Sequence, residues 1–318
     1  MPNPDDFVGV ILAAGKGTRM FPFTARWPKP ILPIMGKPLL QHQIEMLNSV
    51  GIRQIFVVIG HLGYEVVRAL GNGEEFGVNL EYVEQTETLG IAHAVGRLES
   101  RVRKPFLLCL GDIFFVSNKL HSMLALFGKK NTKAVLASKL EENPEMIRRN
   151  FAIIPTADGR VKQVIEKPRY IRNKLKGCGI YLFGLEIFDA IRRTPRTAMR
   201  DEYEITEAIQ IMINDGHRVV HAQIIEEDLN LTNPEDLLMI NMLELQNLKL
   251  RNYFVADGSD NSKIKGVESC VIGGRVTLQK PVYLQNCVIF DDVVIPKGAK
   301  LKNAIITPEA VIQCNPES

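Results

Sequence analysis

An unbroken apolar run, Phe7-Val-Gly-Val-Ile-Leu12, stops in the small residues Ala13, Ala14 and Gly15. A run that is apolar on both faces suits a strand buried between two layers, and its small-residue end suits a tight loop. The pattern recurs through the first half of the chain. Leu39, Leu40, Ile44, Leu47 and Val50 give a helical period over Pro38 to Val50, which Gly51 stops. A strand follows at Gln54 to Ile59, then helical spacing at Tyr64 to Leu70, a strand at Asn79 to Val83, a helix from about Leu89 to Leu98, and a strand at Phe106 to Leu110 ending in Gly111-Asp112. Such alternation predicts the α/β class, with a mainly parallel sheet flanked by helices on both faces. Ligands of these sheets lie at the carboxyl ends of the strands, where Gly15 to Arg19, Gln85 to Gly90 and Gly111-Asp112 fall.

The expected sheet is therefore Rossmann-like. Further strands are predicted at Lys133 to Ser138, Phe151 to Pro155, Val161 to Ile165 and Gly179 to Phe183, with Asp158-Gly159 turning a hairpin. Helices are predicted at Glu204 to Asn214, with Thr206 or a neighbour as cap, and at Pro234 to Leu250 after Asn233. Beyond about Tyr253 branched apolar residues recur every six positions: Ile272, Leu278 and Leu284, then Ile289, Ile295 and Leu301, then Ile306 and Ile312, with five-residue steps between series. Val276, Val282, Val288 and Val294 form a second column. A hexapeptide period predicts a short C-terminal left-handed parallel β-helix. The expected domains are residues 1–252 and 253–318, and a tail this short reads as an interface or end cap, hence a homo-oligomer.

Composition narrows the class. Of 318 residues 46% are hydrophobic, and 39 Lys and Arg against 36 Asp and Glu leave a formal charge of +3. That balance advertises neither a nucleic-acid nor a membrane surface. Five widely spaced cysteines, with no CxxC, predict reduced thiols and not a zinc or disulfide framework. The acidic lead-in Met1 to Asp6 is unlike a secretory signal, and no apolar run approaches the ~20 residues of a membrane-spanning helix, so a cytoplasmic protein is expected.

The loop Leu12-Ala13-Ala14-Gly15-Lys16-Gly17-Thr18-Arg19 places glycines where side chains would keep backbone N–H groups from phosphate oxygens. A dinucleotide fingerprint would need Gly at Met20, and a Walker loop a longer spacing before Gly-Lys-Ser/Thr; neither fits. Downstream, Pro28 and Pro30 hold Lys29 on a stiff backbone. Gly-x-Gly-Thr-Arg followed by Pro-Lys-Pro resembles the signature of the sugar-1-phosphate nucleotidylyltransferases, which make nucleotide sugars from a nucleoside triphosphate and a sugar 1-phosphate. The resemblance runs from about Phe7 to Leu250 and is closest to glucose-1-phosphate thymidylyl- and uridylyltransferases of the long form, with a β-helical tail.

The resemblance implies that Arg19 holds the triphosphate and Lys29 meets the transferring phosphate. It also implies that Gln85 and Gly90 read the base, Asp112 binds the catalytic Mg2+, and Glu166, Lys167, Gly179 and Tyr181 serve the sugar phosphate. An amide that donates and accepts suits a uracil or thymine edge, carboxylate lone pairs suit a diol, and an ammonium suits a phosphate. Two positions depart from the family. Ala152 stands where relatives usually have Gly, and Asn230 stands at the second metal position, where many have Asp. His93 reads as a packed helix residue, and Lys167, Arg169, Arg172, Lys174 and Lys176 as a solvated basic run. Three functions follow as expectations: UTP- or dTTP-dependent transfer to glucose 1-phosphate, GTP-dependent transfer to mannose 1-phosphate, and non-catalytic binding of sugar nucleotides by a regulatory subunit.

Overall fold

A computed structural model describes residues 2–197, 201–248, 253–259 and 266–315. By compactness the chain divides into Met1–Gly15 with Gln43–Asp228, and Lys16–His42 with Leu229–Ser318, a different division from the one expected near residue 252.

In the first unit β1 (Val8–Ala13), β2 (Gln54–Ile59), β3 (Asn79–Glu84) and β4 (Phe106–Leu110) form a parallel run in the order β3-β2-β1-β4. This is the parallel core that the apolar runs predict, and most of its side chains are buried. Five more strands extend it: β5 (Thr132–Leu140), β6 (Phe151–Pro155), β7 (Val161–Glu166), β8 (Leu175–Phe183) and β9 (Arg218–Gln223). The second half of β8 lies antiparallel beside β4 and its first residues beside β6, while β5 follows it along the other edge. β7 pairs antiparallel with β6, and β9 parallel with β5. The changeover in β8 falls at Gly177 to Tyr181, where Gly179 takes φ +55° and a Cβ would meet Ile113 Cδ1 at 2.7 Å. Aromatic rings fill the adjoining core: Phe151, Tyr181 and Phe183 stack in sequence at centroid spacings of 6.0 and 5.6 Å, and Phe106 meets Phe183 tilted by 57° at 5.8 Å.

Short helices at His121–Phe127, Pro144–Arg149 and Ile187–Arg193 join these strands. The expected helix at Ile205–Asn214 has Glu204 at its N-cap without a side-chain capping bond. Thr206, the candidate cap, instead donates its hydroxyl to Glu166 Oε2 at 3.2 Å.

In the second unit a helix, Pro234–Asn247, opens as expected with Pro after Asn233, and Asn233 with Asp236 completes a capping box. The predicted end at Leu250 lies outside the described residues. Asn241, wholly buried in this helix, accepts from Met35 N–H at 2.8 Å and donates to Pro33 O at 3.1 Å, satisfying the backbone before Lys37.

The tail carries β10 (Tyr253–Val255), β11 (Val267–Ile272), β12 (Thr277–Leu278), β13 (Tyr283–Ile289), β14 (Val294–Ile295), β15 (Lys300–Ile306) and β16 (Val311–Gln313). β10, β11, β13 and β15 pair in parallel, and β12 pairs in parallel with β14. Val267 opposes Leu284 and Leu284 opposes Leu301, a repeat of 17 residues. This length corrects the valine column. A strict six-residue step slips by one each repeat, so Val276 and Val282 are buried but Val294 is 58% exposed and Val293 takes the inward place. Ile312 is also outside its expected series, because β16 turns back antiparallel to β15 and Ile312 opposes Ile305. Ser269, Asn286 and Asn303 hold left-handed backbone at the same point of successive repeats, and the Asn286 amide donates to Asn303 Oδ1 at 2.6 Å. All five cysteines are free and buried. Among the described residues no helix is long and apolar enough to cross a membrane.

Candidate active site

In the first unit, backbone meets backbone where β1 ends. Gly111 N–H donates to Leu12 O at 2.9 Å, and a Cβ on Gly111 would sit 2.6 Å from that oxygen. A Cβ on Gly60 would come equally close to Ala14 O. Glycine on both flanks is what lets the end of β1, Leu12-Ala13, and Ala14 after it lie against their neighbours. Half-buried Asp112 follows directly. Gln43 fixes this corner by donating its amide to both Leu110 O and Ile113 O at 2.8 Å. Sequence reasoning gave Gln43 no role, although an amide set among the apolar helical positions Leu40, Ile44 and Leu47 is a signal for such a brace.

Gln85 continues from β3, its N–H donating to Ile59 O at 2.8 Å. Its side chain is buried; the amide donates to Glu87 O at 2.7 Å and lies 3.4 Å from His93 Nδ1. His93 in turn stacks on Tyr203 at 6.2 Å, so it packs as expected but also adjoins Gln85. Gly90, at φ +107°, is pressed onto Tyr203: a Cβ would lie 2.5 Å from Tyr203 O, and Leu89 O and Ala92 N–H bond that residue's backbone. Gly90→Ala should therefore cost about 1–3 kcal/mol of strain, read as a lower midpoint in thermal unfolding.

On the antiparallel strands, Glu166 ends β7 and is held by Thr206, and exposed Lys167 adopts φ +41° with its N–H on Asn150 O at 2.8 Å. Ala152 and Tyr181 are wholly buried. Burial first, then Glu166, Cys178 and Glu204, push the Tyr181 phenol well above its usual range. These two side chains are wall and core. The Phe151 ring occupies the space over Gly177, where any Cβ would overlap it.

The basic run is not uniformly solvated. Lys176 is fully buried and pairs with buried Asp228, Nζ to Oδ1 at 2.8 Å. Lys139 lies 3.4 Å from the same oxygen and 3.1 Å from Glu227 Oε2. Burial opposes the Lys139 charge, but Asp228, Glu227 and Glu141 more than offset it and hold the ammonium above the ordinary lysine range. The reason is topological: Lys176 lies on β8 between Lys139 of β5 and Ala152 of β6, while Arg169, Arg172 and Lys174 precede the covered stretch and stay exposed.

In the second unit, Gly17 takes φ +60° and starts the turn Thr18–Met20. Thr24 Oγ1 donates to Gly17 O at 3.2 Å, and a Cβ on Gly17 would meet Thr24 Cγ2 at 3.1 Å and Lys29 Cβ at 3.3 Å. The glycine loop and Pro28-Lys29-Pro30 are thus one local construction. Lys16, Thr18 and Arg19 are exposed, while Lys29 is half-buried, as is Asn230 at the end of the strand Glu227–Asn230.

The family model described as nucleotidyl transferase matches residues 8–246. A glucose-1-phosphate thymidylyltransferase of Streptomyces griseus is 30% identical over 288 residues, covering 84% of this chain and 79% of that one. The UTP–glucose-1-phosphate uridylyltransferase AglF of Haloferax volcanii is 34% identical over 228 residues, covering 71% and 92%. A solved structure of UDP-glucose pyrophosphorylase complexed with UDP-glucose superposes with TM-score 0.67 over 75% of this chain and 98% of that chain; at 23% identity, this likeness concerns the fold. With its signature loop, sheet and relatives in agreement, the chain belongs to the nucleotidyl transferase family.

Proposed function

We propose that the chain transfers a nucleotidyl group from UTP or dTTP to glucose 1-phosphate and releases pyrophosphate. The observation that carries this reading is the close approach of Lys29 to Gly17, where a Cβ on the glycine would lie 3.3 Å from Lys29 Cβ, which sets a glycine-rich loop suited to phosphate beside a lysine. The named activities of the thymidylyl and uridylyl relatives support the pyrimidine base and the sugar.

In the reaction an oxygen of the sugar phosphate attacks the α-phosphorus, the bond to the bridging oxygen breaks, and pyrophosphate leaves. No protein nucleophile is needed, so positioning and charge neutralisation carry the rate. Arg19, with Lys16 and the N–H groups from Gly15 to Thr18, takes the triphosphate; Lys29 faces the transferring phosphoryl group. Gln85 and Gly90 receive the base, Glu166 the sugar hydroxyls and Lys167 the sugar phosphate, with Ala152, Gly179 and Tyr181 shaping the wall. Asp112 and Asn230 would hold Mg2+. One carboxylate and one amide oxygen are donor types that suit a hard cation. The remaining coordination positions would go to triphosphate oxygens. Bound there, the ion neutralises triphosphate charge.

The catalytic domain in this reading spans 1–252 and the tail, 253–318, is a left-handed parallel β-helix through which copies associate; the 17-residue register supports the β-helix. Pyrophosphate release, measured with UTP, dTTP and GTP against glucose and mannose 1-phosphates with and without magnesium, tests the function. Turnover with a pyrimidine triphosphate and glucose 1-phosphate is expected. Preference for GTP and mannose 1-phosphate would transfer the assignment to that activity, and binding without turnover on any pair would reject catalysis.

A further inference from the structure

The loop carrying Arg19 and Lys29 has little structure of its own. Between Lys16 and Leu32 its regular elements are three single turns, Thr18–Met20, Phe23–Ala25 and Lys29–Ile31. What covers it, within the second unit, is the tail. Phe290 follows β13 and precedes Asp291-Asp292, yet its ring is only 6% exposed. It stacks on Phe23 at 5.7 Å and 19°, and the edge of Trp27 meets it at 5.5 Å and 65°. Phe23 is itself buried and opens the turn whose Thr24 holds Gly17; Trp27 is two residues from Lys29. Between the two rings in sequence, Arg26 pairs with Glu309 and lies over Trp27 at 5.0 Å. A second anchor lies further on, where a Cβ on Gly36 would be 3.3 Å from Ala256 Cβ and 3.4 Å from Phe254 Cε1.

We propose that the C-terminal sheet positions the loop of its own chain that bears Arg19 and Lys29, with Phe290 as the positioning residue. The inference rests on the reading of Lys29 as catalytic. The physical need is plain: a cation must sit where charge moves during transfer, and a misplacement of about 1 Å can cost on the order of 10²-fold in rate. A loop of three isolated turns cannot supply that accuracy alone. An aromatic cluster with one ring from the tail and two from the loop, flanked by an ion pair, can.

Trp27 is the single tryptophan of the chain, so its emission reports the contact directly. Phe290→Ala should shift that emission to longer wavelength and lower kcat by roughly 10- to 100-fold, with KM for glucose 1-phosphate held within about twofold. Phe290→Tyr, which keeps the ring, should restore both. Should Phe290→Ala fail to fold, Glu309→Gln breaks the flanking pair at the surface and should lower kcat about two- to fivefold with a matching change in emission. Unchanged kcat with shifted emission would overturn the proposal, as would unshifted emission in Phe290→Ala. A loss of activity explained wholly by loss of folded protein, with Glu309→Gln fully active, would overturn it too. Lys29→Ala assayed in parallel separates the two claims: full turnover there removes the underlying reading, whereas its loss beside an active Phe290→Ala removes only the role of the tail.

Discussion

Lys29→Ala should lower kcat by about 10²–10³-fold while the unfolding midpoint stays within about 2 °C of the parent. The asymmetry follows from which atoms the substitution removes. Alanine keeps the Cβ that lies against Gly17, and Pro28 and Pro30 keep the backbone, so the loop retains its path. In the proposed mechanism, what disappears is an ammonium placed for developing charge. Steady-state pyrophosphate release and thermal unfolding of the same preparation check it; a parallel fall in stability would reassign Lys29 to structure. Lys29→Arg keeps the charge but spreads it over a planar fork, and should recover only part of the rate.

The second large effect lies in the buried pair of the first unit. Lys176→Ala leaves the Asp228 carboxylate without its 2.8 Å partner in a position 1% exposed. Breaking a buried pair from one side costs about 3–5 kcal/mol, which at this chain length is a fall in midpoint of roughly 4–8 °C. Lys139, already shared with Glu227, lies further from the same oxygen and offsets only part of the loss. Removing both charges together, as Lys176→Met with Asp228→Leu, should regain most of the stability, since well-packed apolar replacements of buried pairs are often neutral or better. Thermal unfolding of the single and double variants decides it. A single variant as stable as the parent would mean that Asp228 is not buried as a charge.

These two sites mark what the sequence made legible. The motif around Lys29 could be read because proline and glycine impose backbone conditions that are local, and the strands at Gln54–Ile59, Phe106–Leu110 and Phe151–Pro155 could be read to the residue because continuous burial leaves a continuous apolar run. Lys176 could not. It stands in a cluster of cations whose neighbours are solvated, and the carboxylate that permits its burial lies 52 positions later. Thr206 illustrates the same limit at shorter range, since a hydroxyl beside a helix start looks like a cap until Glu166 is seen opposite it. Val294 was lost differently: the period was read correctly as six, but the five-residue step resets the column, so the error grows by one position per repeat. The helices at His121–Phe127, Pro144–Arg149 and Ile187–Arg193 span only six or seven residues, which left them without a period to read.

The 17-residue register of the tail sets a rule for how its length can change. Because each parallel strand meets the next at the same offset, and Ser269, Asn286 and Asn303 bend at equivalent points, duplicating or deleting one full repeat preserves every pairing on either side. Any other increment would shift the pairing along the remaining strands, and an odd shift would turn inward residues outward. Lengths in natural or designed versions of this tail should therefore come in quanta of one repeat, with β16, folded back on β15, serving as the stop that can be moved but not omitted.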